Sequence, residues 1–256
     1  MGEPVIELKG IRNRFGASVV HEHVDLTVYR GEILGIIGAS GSGKTVLLRT
    51  MALLQRPVAG QVRLFGCDAL HLPPEDERRL RLRLGFMFQN GALFSGLTVF
   101  ENVRFPLAEH ARLPADLCRE IVMLKIRLAG LAAEDAGKYP RQLSGGMVKR
   151  AALARTLVLD PVVLFLDEPT AGLDPVTAGA FDALVVELKS LLDLTVVMVT
   201  HDLDTLWRAT DRVAFLADRR IVALAPVGEL ARRPPHPAVA AYFAGRRGGE
   251  GAWKPR

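Results

Sequence analysis

Cysteine is scarce in this chain of 256 residues: Cys67 and Cys118 are its two thiols, too far apart to match a zinc or dithiol redox spacing. That excludes a disulfide scaffold and points to free thiols in a reducing compartment. Long apolar runs are missing as well, and nothing approaches the roughly 18 residues that a membrane-crossing helix needs. The start, MGEPVIELKG, has no basic segment leading into an apolar stretch, so no secretory leader is expected. There are no internal repeats and no low-complexity tract. What is present is a chain 49% hydrophobic, enough for a sizeable core. A chain of this size buries roughly 70–75% of its unfolded surface. The formal net charge of +5 admits nucleic acid or an anionic membrane surface as partners. Much of the excess sits in arginine clusters and at the end of the chain (Arg232, Arg233, Arg246, Arg247, Lys254, Arg256), so it is not read as a nucleic-acid site.

Hydropathy patterning gives the organisation. Residues 4–9 and 19–29 alternate apolar and polar, as antiparallel strands with one wet face do. Then come short, nearly unbroken apolar runs at 33–37, 84–88, 162–166, 195–199 and 212–217. Runs of that length suit parallel strands buried on both faces. The last is followed by DRR and IVALA, a hairpin. Residues 98–112, 115–129 and 145–159 read as helices inserted into the sheet. The expected domains are an α/β core over 1–95 and 159–231, a helical subdomain over 96–158, and a tail over 232–256. Its last residues, 246–256, are read as mobile or docked on a partner.

Five stretches carry chemistry. GASGSGKT, with Gly38, Gly43, Lys44 and Thr45 at fixed positions, follows an apolar strand and precedes an apolar helical run. Small residues (Gly38, Ala39, Ser40, Gly41, Ser42, Gly43) let successive amide N–H groups turn inward as an anion cradle. The following helix adds its positive end, and Val46 continues it. Lys44 is expected at the β- and γ-phosphates of a bound nucleotide and Thr45 at Mg²⁺. VVLFLDEPT ends a buried strand in Asp167, placed to hold Mg²⁺, and Glu168, placed to orient and deprotonate water. LSGGMVKRAALARTL begins with Ser144 as a helix cap, then Gly145 and Gly146, a second anion site. The helix is read as amphipathic, with Met147, Ala151, Ala154 and Val158 on one stripe. His201 ends the strand TVVMV at the same sheet edge, within hydrogen-bonding reach of a γ-phosphate. Gln89 follows LGFMF, able to ligate Mg²⁺ or water and to couple the site to the helical insert.

Taken in this order, the stretches resemble the nucleotide-binding subunit of ABC transporters. The resemblance covers about residues 5–230. It implies a P-loop NTPase (RecA-like) core with an antiparallel β subdomain and a helical signature subdomain. It makes LSGG the signature motif, Gln89 the Q-loop residue, Ala171–Asp174 the D-loop, His201 the switch histidine and Phe15 the aromatic that stacks on adenine. Asp174 joins the nucleotide-contacting set. It also implies ATP and Mg²⁺, and a head-to-tail homodimer in which Ser144 and Gly146 of one subunit meet the γ-phosphate held by Lys44 of the other. A narrower similarity, carried by GFMFQNGALFSGLTVFENVRFPL and YPRQLSGGMVKRAALAR, is to the ATPase of bacterial Mla/Mce-type phospholipid transport systems, where Met often stands at the position of Met147. That implies integral-membrane permease subunits, an anchored Mce-domain protein, a STAS-domain subunit, and a place on the cytoplasmic face of the inner membrane. Phe94, Leu97, Phe100 and Val103 are candidates to receive a permease helix. Val46, where many relatives have Ser or Thr, is a departure that leaves Thr45 in its metal role. An importer of a polar solute such as an amino acid, or an ABC ATPase with no permease, shares every catalytic motif and stays open.

Overall fold

The structure, a computed structural model, describes residues 2–244; the expected mobile end, 246–256, lies outside the described residues. In chain order the elements begin with β1 (Pro4–Phe15), β2 (Ser18–Tyr29), β3 (Ile33–Gly38), α1 (Lys44–Met51), β4 (Ala59–Leu64), β5 (Cys67–Asp68), α2 (Pro74–Leu82) and β6 (Leu84–Met87). Then come α3 (Val99–His110), α4 (Ala115–Leu128), α5 (Gly145–Leu157), β7 (Val163–Asp167) and α6 (Pro175–Leu191). The chain continues through β8 (Thr195–Val199), α7 (Leu203–Ala209), β9 (Arg212–Ala217), β10 (Arg220–Ala225), α8 (Val227–Arg232) and α9 (Pro237–Ala244).

Two sheets form, as the two kinds of hydropathy pattern require. The alternating segments β1 and β2 pair antiparallel and extend into a four-stranded sheet, order β2-β1-β4-β5. The unbroken apolar runs form a six-stranded sheet, order β10-β9-β3-β8-β7-β6, in which β3, β6, β7, β8 and β9 run parallel and β10 returns antiparallel. Every residue of β3, β7 and β8 is buried. The two sheets share one core, in which Ile6, Leu8 and Val62 meet Leu48, Phe165 and Val199.

The parallel strands end on one rim. There β3 stops at Gly38, β6 at Met87, β7 at Asp167 and β8 at Val199, with β8 lying between β3 and β7. The four loops that follow carry the phosphate-loop residues, Gln89, Glu168 and His201, the edge at which open α/β sheets bind ligands.

The helical insert has its own core, in which Val99, Val103, Val122 and Ile126 pack with Ala151 and Ala154. Helix α3 starts with a capping box: Thr98 Oγ1 accepts from the Glu101 N–H, and the Glu101 carboxylate accepts from the Thr98 N–H. Helix α5 carries the expected stripe, with Met147 packed on the same cluster, and a second buried face that the sequence reading did not assign. Ala151, Ala154 and Val158 face the helical core, while Ala152, Leu153 and Leu157 are buried against the sheet's core with Leu164 and Phe181. It is therefore shared by two hydrophobic clusters, and close packing on both sides accounts for its run of small residues. Val103 is fully buried, Phe100 packs on the same cluster and Leu97 is half-buried, so of the four expected residues Phe94 stays exposed, beside the exposed Phe105 with ring centroids 4.9 Å apart.

The region assigned to a tail is ordered over its first part. Val239 and Phe243 of α9 are buried with Ile37, Leu206 and Phe215, so this helix belongs to the core. Strands β4 and β5 and helix α2 carried no clear signal. In α2 (PEDERRLRL) Leu80 is the one buried side chain, too little for a period to be read. Cys67 is exposed and Cys118 buried, both free.

Candidate functional site

Helix α1 begins at Lys44 behind Gly43, whose φ is +98°. A Cβ at Gly43 would lie 2.5 Å from Val20 Cγ1 and 2.6 Å from His21 Nε2, so only glycine lets the loop press this closely on β2. Lys44 Nζ folds back and donates to the carbonyls of Ala39 (2.8 Å) and Gly38 (3.1 Å), spanning the loop. Burial pushes its pKa down, and the charges of Glu168 and Asp167 pull it back. The loop opens on a cleft of about 420 Å³, lined by Phe15, Val20, Ser40, Gly41, Gly43, Lys44, Thr45, Val46 and Glu168. Phe15 is 50% exposed at the end of β1, an aromatic face available to a flat ligand.

Beneath the loop lies a buried polar network. Asn13 Nδ2 sits 3.0 Å from His21 Nδ1 and 3.1 Å from Thr50 Oγ1, and Thr50 Oγ1 donates to the Val46 carbonyl of α1. Burial pushes the His21 imidazole down to about 4, so it is neutral in the folded protein. The unfolded chain takes up its proton near the ordinary value of about 6.5. Between these values the unfolded state binds more protons, so stability falls as pH drops from about 6.5 to about 4, by about 3 kcal/mol in all. We expect that extra loss by pH 4 in denaturant titrations of the wild-type chain relative to His21→Gln; parallel pH curves would refute it.

Opposite the loop, Thr45 Oγ1 donates to Asp167 Oδ1 at 2.9 Å. Burial raises the Asp167 carboxyl, the Thr45 hydrogen bond opposing it. A hydroxyl and a carboxylate beside a phosphate cradle are the hard oxygen donors that suit Mg²⁺, which takes few protein ligands and completes its shell with phosphate oxygens and water. The next residue, Glu168, has φ +47°, the left-handed region that non-glycine residues rarely enter. Its Oε2 accepts from Gln89 Nε2 at 2.9 Å, and its Oε1 lies 3.4 Å from His201 Nδ1. Three rim loops thus meet on one carboxylate. Glu168 also lines a second cleft, of about 280 Å³, with Thr170, Ala171, Gly172, Leu173, Thr200, His201 and Asp202.

The signature residues are elsewhere. Ser144 caps α5 by accepting from the Met147 N–H, and none of Ser144, Gly145 and Gly146 lines either cleft. Gly146 has a packing reason that the sequence did not betray: a Cβ there would lie 2.7 Å from Thr177 Cγ2 of α6. Asp174 lines neither cleft; its Oδ1 caps α6 by accepting from the N–H groups of Val176 and Thr177. Ala39 enters through its carbonyl to Lys44, and Ser42 is engaged in the loop by its N–H to that same carbonyl. Residues that sequence reasoning left without a role also touch the site: Val20 lines the cleft, and Tyr242 of α9 donates to the His201 carbonyl at 3.3 Å. Lys149 points at the back of the Gln89–Glu168 pair. Its one sequence signal was a lysine on a helix otherwise small and apolar on its buried sides.

Comparison with known proteins agrees with this geometry. A family described as ABC transporter matches residues 21–171. The intermembrane phospholipid transport system ATP-binding protein MlaF of Escherichia coli (strain K12) is 40% identical over 222 residues, covering 86% of this chain and 81% of that protein. A probable ribonucleotide transport ATP-binding protein, mkl, of Mycobacterium tuberculosis (strain ATCC 25618 / H37Rv) is 36% identical over 242 residues, covering 94% of this chain and 67% of that one. Among solved structures, a dimeric ATP-binding cassette in a post-hydrolysis state bound to ADP and Pi superposes with a TM-score of 0.79 at 29% identity, covering 86% of this chain and 98% of its own. With its P-loop, its glutamate after the β7 aspartate and its capped signature helix, the chain belongs to the ABC transporter family.

Proposed function

We propose that this chain is the ATP-hydrolysing subunit of an ABC transporter that moves phospholipid between the inner and outer membranes, working as a nucleotide-sandwich homodimer. The observation that carries the hydrolytic part is the convergence of Gln89 and His201 on Glu168 at the mouth of the phosphate cleft. In this reading Phe15 stacks on adenine, and the loop amides and Lys44 hold the phosphates. Glu168 takes the proton of the attacking water, and His201 and Gln89 orient the γ-phosphate and that water. Thr45, Asp167 and Gln89 would hold Mg²⁺, which neutralises phosphate charge when bound. Positioning and electrostatics supply most of the rate in such a transfer.

Ser144, Gly145 and Gly146 line neither cleft of their own chain. They would complete the site of the second copy, related by a two-fold axis. Asp174, at the start of α6, would lie at the same junction. Residues 96–158 act as the moving signature subdomain, and the exposed Phe94–Phe105 pair is the point at which an integral-membrane permease would press on it. An anchored Mce-domain protein and a STAS-domain subunit would complete the assembly at the cytoplasmic face of the inner membrane.

Phospholipid as cargo rests on the extent of the similarity to MlaF, which spans most of both chains. The mycobacterial relative's description favours a second cargo, a ribonucleotide. Reconstituting this chain with its co-purifying permease in vesicles separates the two. Transfer of a fluorescent phospholipid to acceptor membranes, dependent on ATP, is expected. ATP-driven uptake of a labelled ribonucleoside monophosphate with no lipid transfer would replace the lipid reading.

A further inference from the structure

Helix α5 carries two cations toward the segment that follows β6. Arg155 donates from Nη1 to the Ala92 carbonyl and from Nη2 to the Gly91 carbonyl, both at 2.7 Å. Nearer the helix start, Lys149 donates from Nζ to the Gln89 carbonyl and approaches the Glu168 carbonyl at 3.4 Å. Lys149 is 6% exposed, and among the described residues no carboxylate forms an ion pair with it. Burying an ammonium costs free energy unless specific acceptors compensate, and ordering a lysine stem adds lost rotamer freedom. An apolar side chain would fill the same space more cheaply. The acceptors Lys149 has chosen are therefore informative: they are the main-chain oxygens of the two residues whose side chains meet at 2.9 Å in the candidate catalytic site.

Glu168 sits in a backbone conformation that persists only where its surroundings over-determine it. Its N–H is fixed by the Val199 carbonyl at 2.9 Å, from the sheet side. Its carbonyl faces Lys149, from the signature-helix side. We infer that Lys149 is a positioning residue for hydrolysis: through the Gln89 and Glu168 carbonyls it keeps that pair in register with the start of α5, so that the signature helix and the candidate base shift as one. The inference rests on the reading of Glu168 as the base. It goes further in assigning the link between helix and base to a side chain outside the motif's fixed positions. Arg155 is the contrasting case, since its bonds stop at Gly91 and Ala92 and do not reach Glu168.

Lys149 lines neither cleft and touches no phosphate-loop residue, so its loss should spare ATP binding. The full-length Lys149→Met protein is expected to lose about 10- to 100-fold in kcat, the usual cost of misplacing a reacting group by a fraction of an ångström to an ångström. Its KM for ATP should stay within about twofold of wild type, because only the step after binding is affected. Lys149→Arg, which retains a cation and N–H donors, should recover most of the rate. An unchanged kcat in Lys149→Met, a loss of kcat/KM carried by a raised KM with kcat little changed, or no recovery by arginine each overturns the inference. If Lys149→Met does not fold by thermal melting, Lys149→Gln is judged by the same split. Glu168→Gln measured alongside keeps the two readings apart. If it is inactive while Lys149→Met is normal, the base stands and the positioning role falls; if it turns over normally, the base assignment itself falls.

Discussion

Glu168→Gln is expected to bind ATP as the wild type does and to hydrolyse it about 10²–10⁴-fold more slowly, the range that removal of a general base produces. The substitution is close to isosteric. Its amide oxygen still accepts the Gln89 hydrogen bond, and the left-handed backbone at this position is unchanged, so geometry is preserved while proton affinity is lost. A second consequence follows from the proposed sandwich. If contacts to the γ-phosphate are what close two chains around ATP, a variant that cannot cleave it accumulates the closed form, because the ligand's differential affinity for that form is never removed. Light scattering after gel filtration in MgATP should therefore give a stable dimer for Glu168→Gln and mostly monomer for the wild type. Turnover near the wild-type rate would remove Glu168 as base. Slow turnover without a dimer would separate the chemistry from the sandwich and leave only the former.

The parts of this protein that could be read from its sequence are those in which one physical constraint acts on consecutive residues. Strands β3, β7 and β8 are buried on both faces, so their apolar runs are continuous and their ends fall within one residue of the runs' ends. The phosphate loop is dictated by its need for inward-turned amides, a need met within eight residues. Thr45 and Asp167 are far apart in the chain yet were both assigned to Mg²⁺ in advance, because Thr45 opens the helix behind the phosphate loop that follows β3 and Asp167 ends β7 on the same rim.

What stayed hidden depends on contacts between distant segments. Gly146 was read as part of an anion site, and the packing demand placed on it by Thr177 of α6 comes from a distant segment. The buried set of α5 spans two cores, and only the stripe on the helical one was read from the sequence. Val103 had the composition of an exposed docking residue and lies instead in the insert's core, since periodicity does not say which face of a helix meets solvent. Helix α9 resembled a tail because its anchors, Val239 and Phe243, are few and follow a proline-rich turn.

The firmest test of a site divided between two chains uses two inactive proteins. Lys44→Ala should lose about 10²-fold or more in turnover, since it deletes the cation spanning the loop where phosphate charge must be met. Ser144→Arg should lose a similar amount by filling the space in front of the α5 start, at a cost of about 1 kcal/mol for the lost cap, which a domain of ordinary stability tolerates. Neither variant should recover alone. In a head-to-tail dimer, however, a mixed pair has one doubly damaged site and one site built from the intact loop of the Ser144→Arg chain and the intact signature of the Lys44→Ala chain. Random pairing of equal amounts makes half of the dimers mixed, each with one good site of two. Mixing should then restore about a quarter of the wild-type rate if the sites act independently, as two-fold symmetry implies. If Ser144 instead acted within its own chain, every site in the mixture would carry a lesion, and activity would remain at the level of the separate variants.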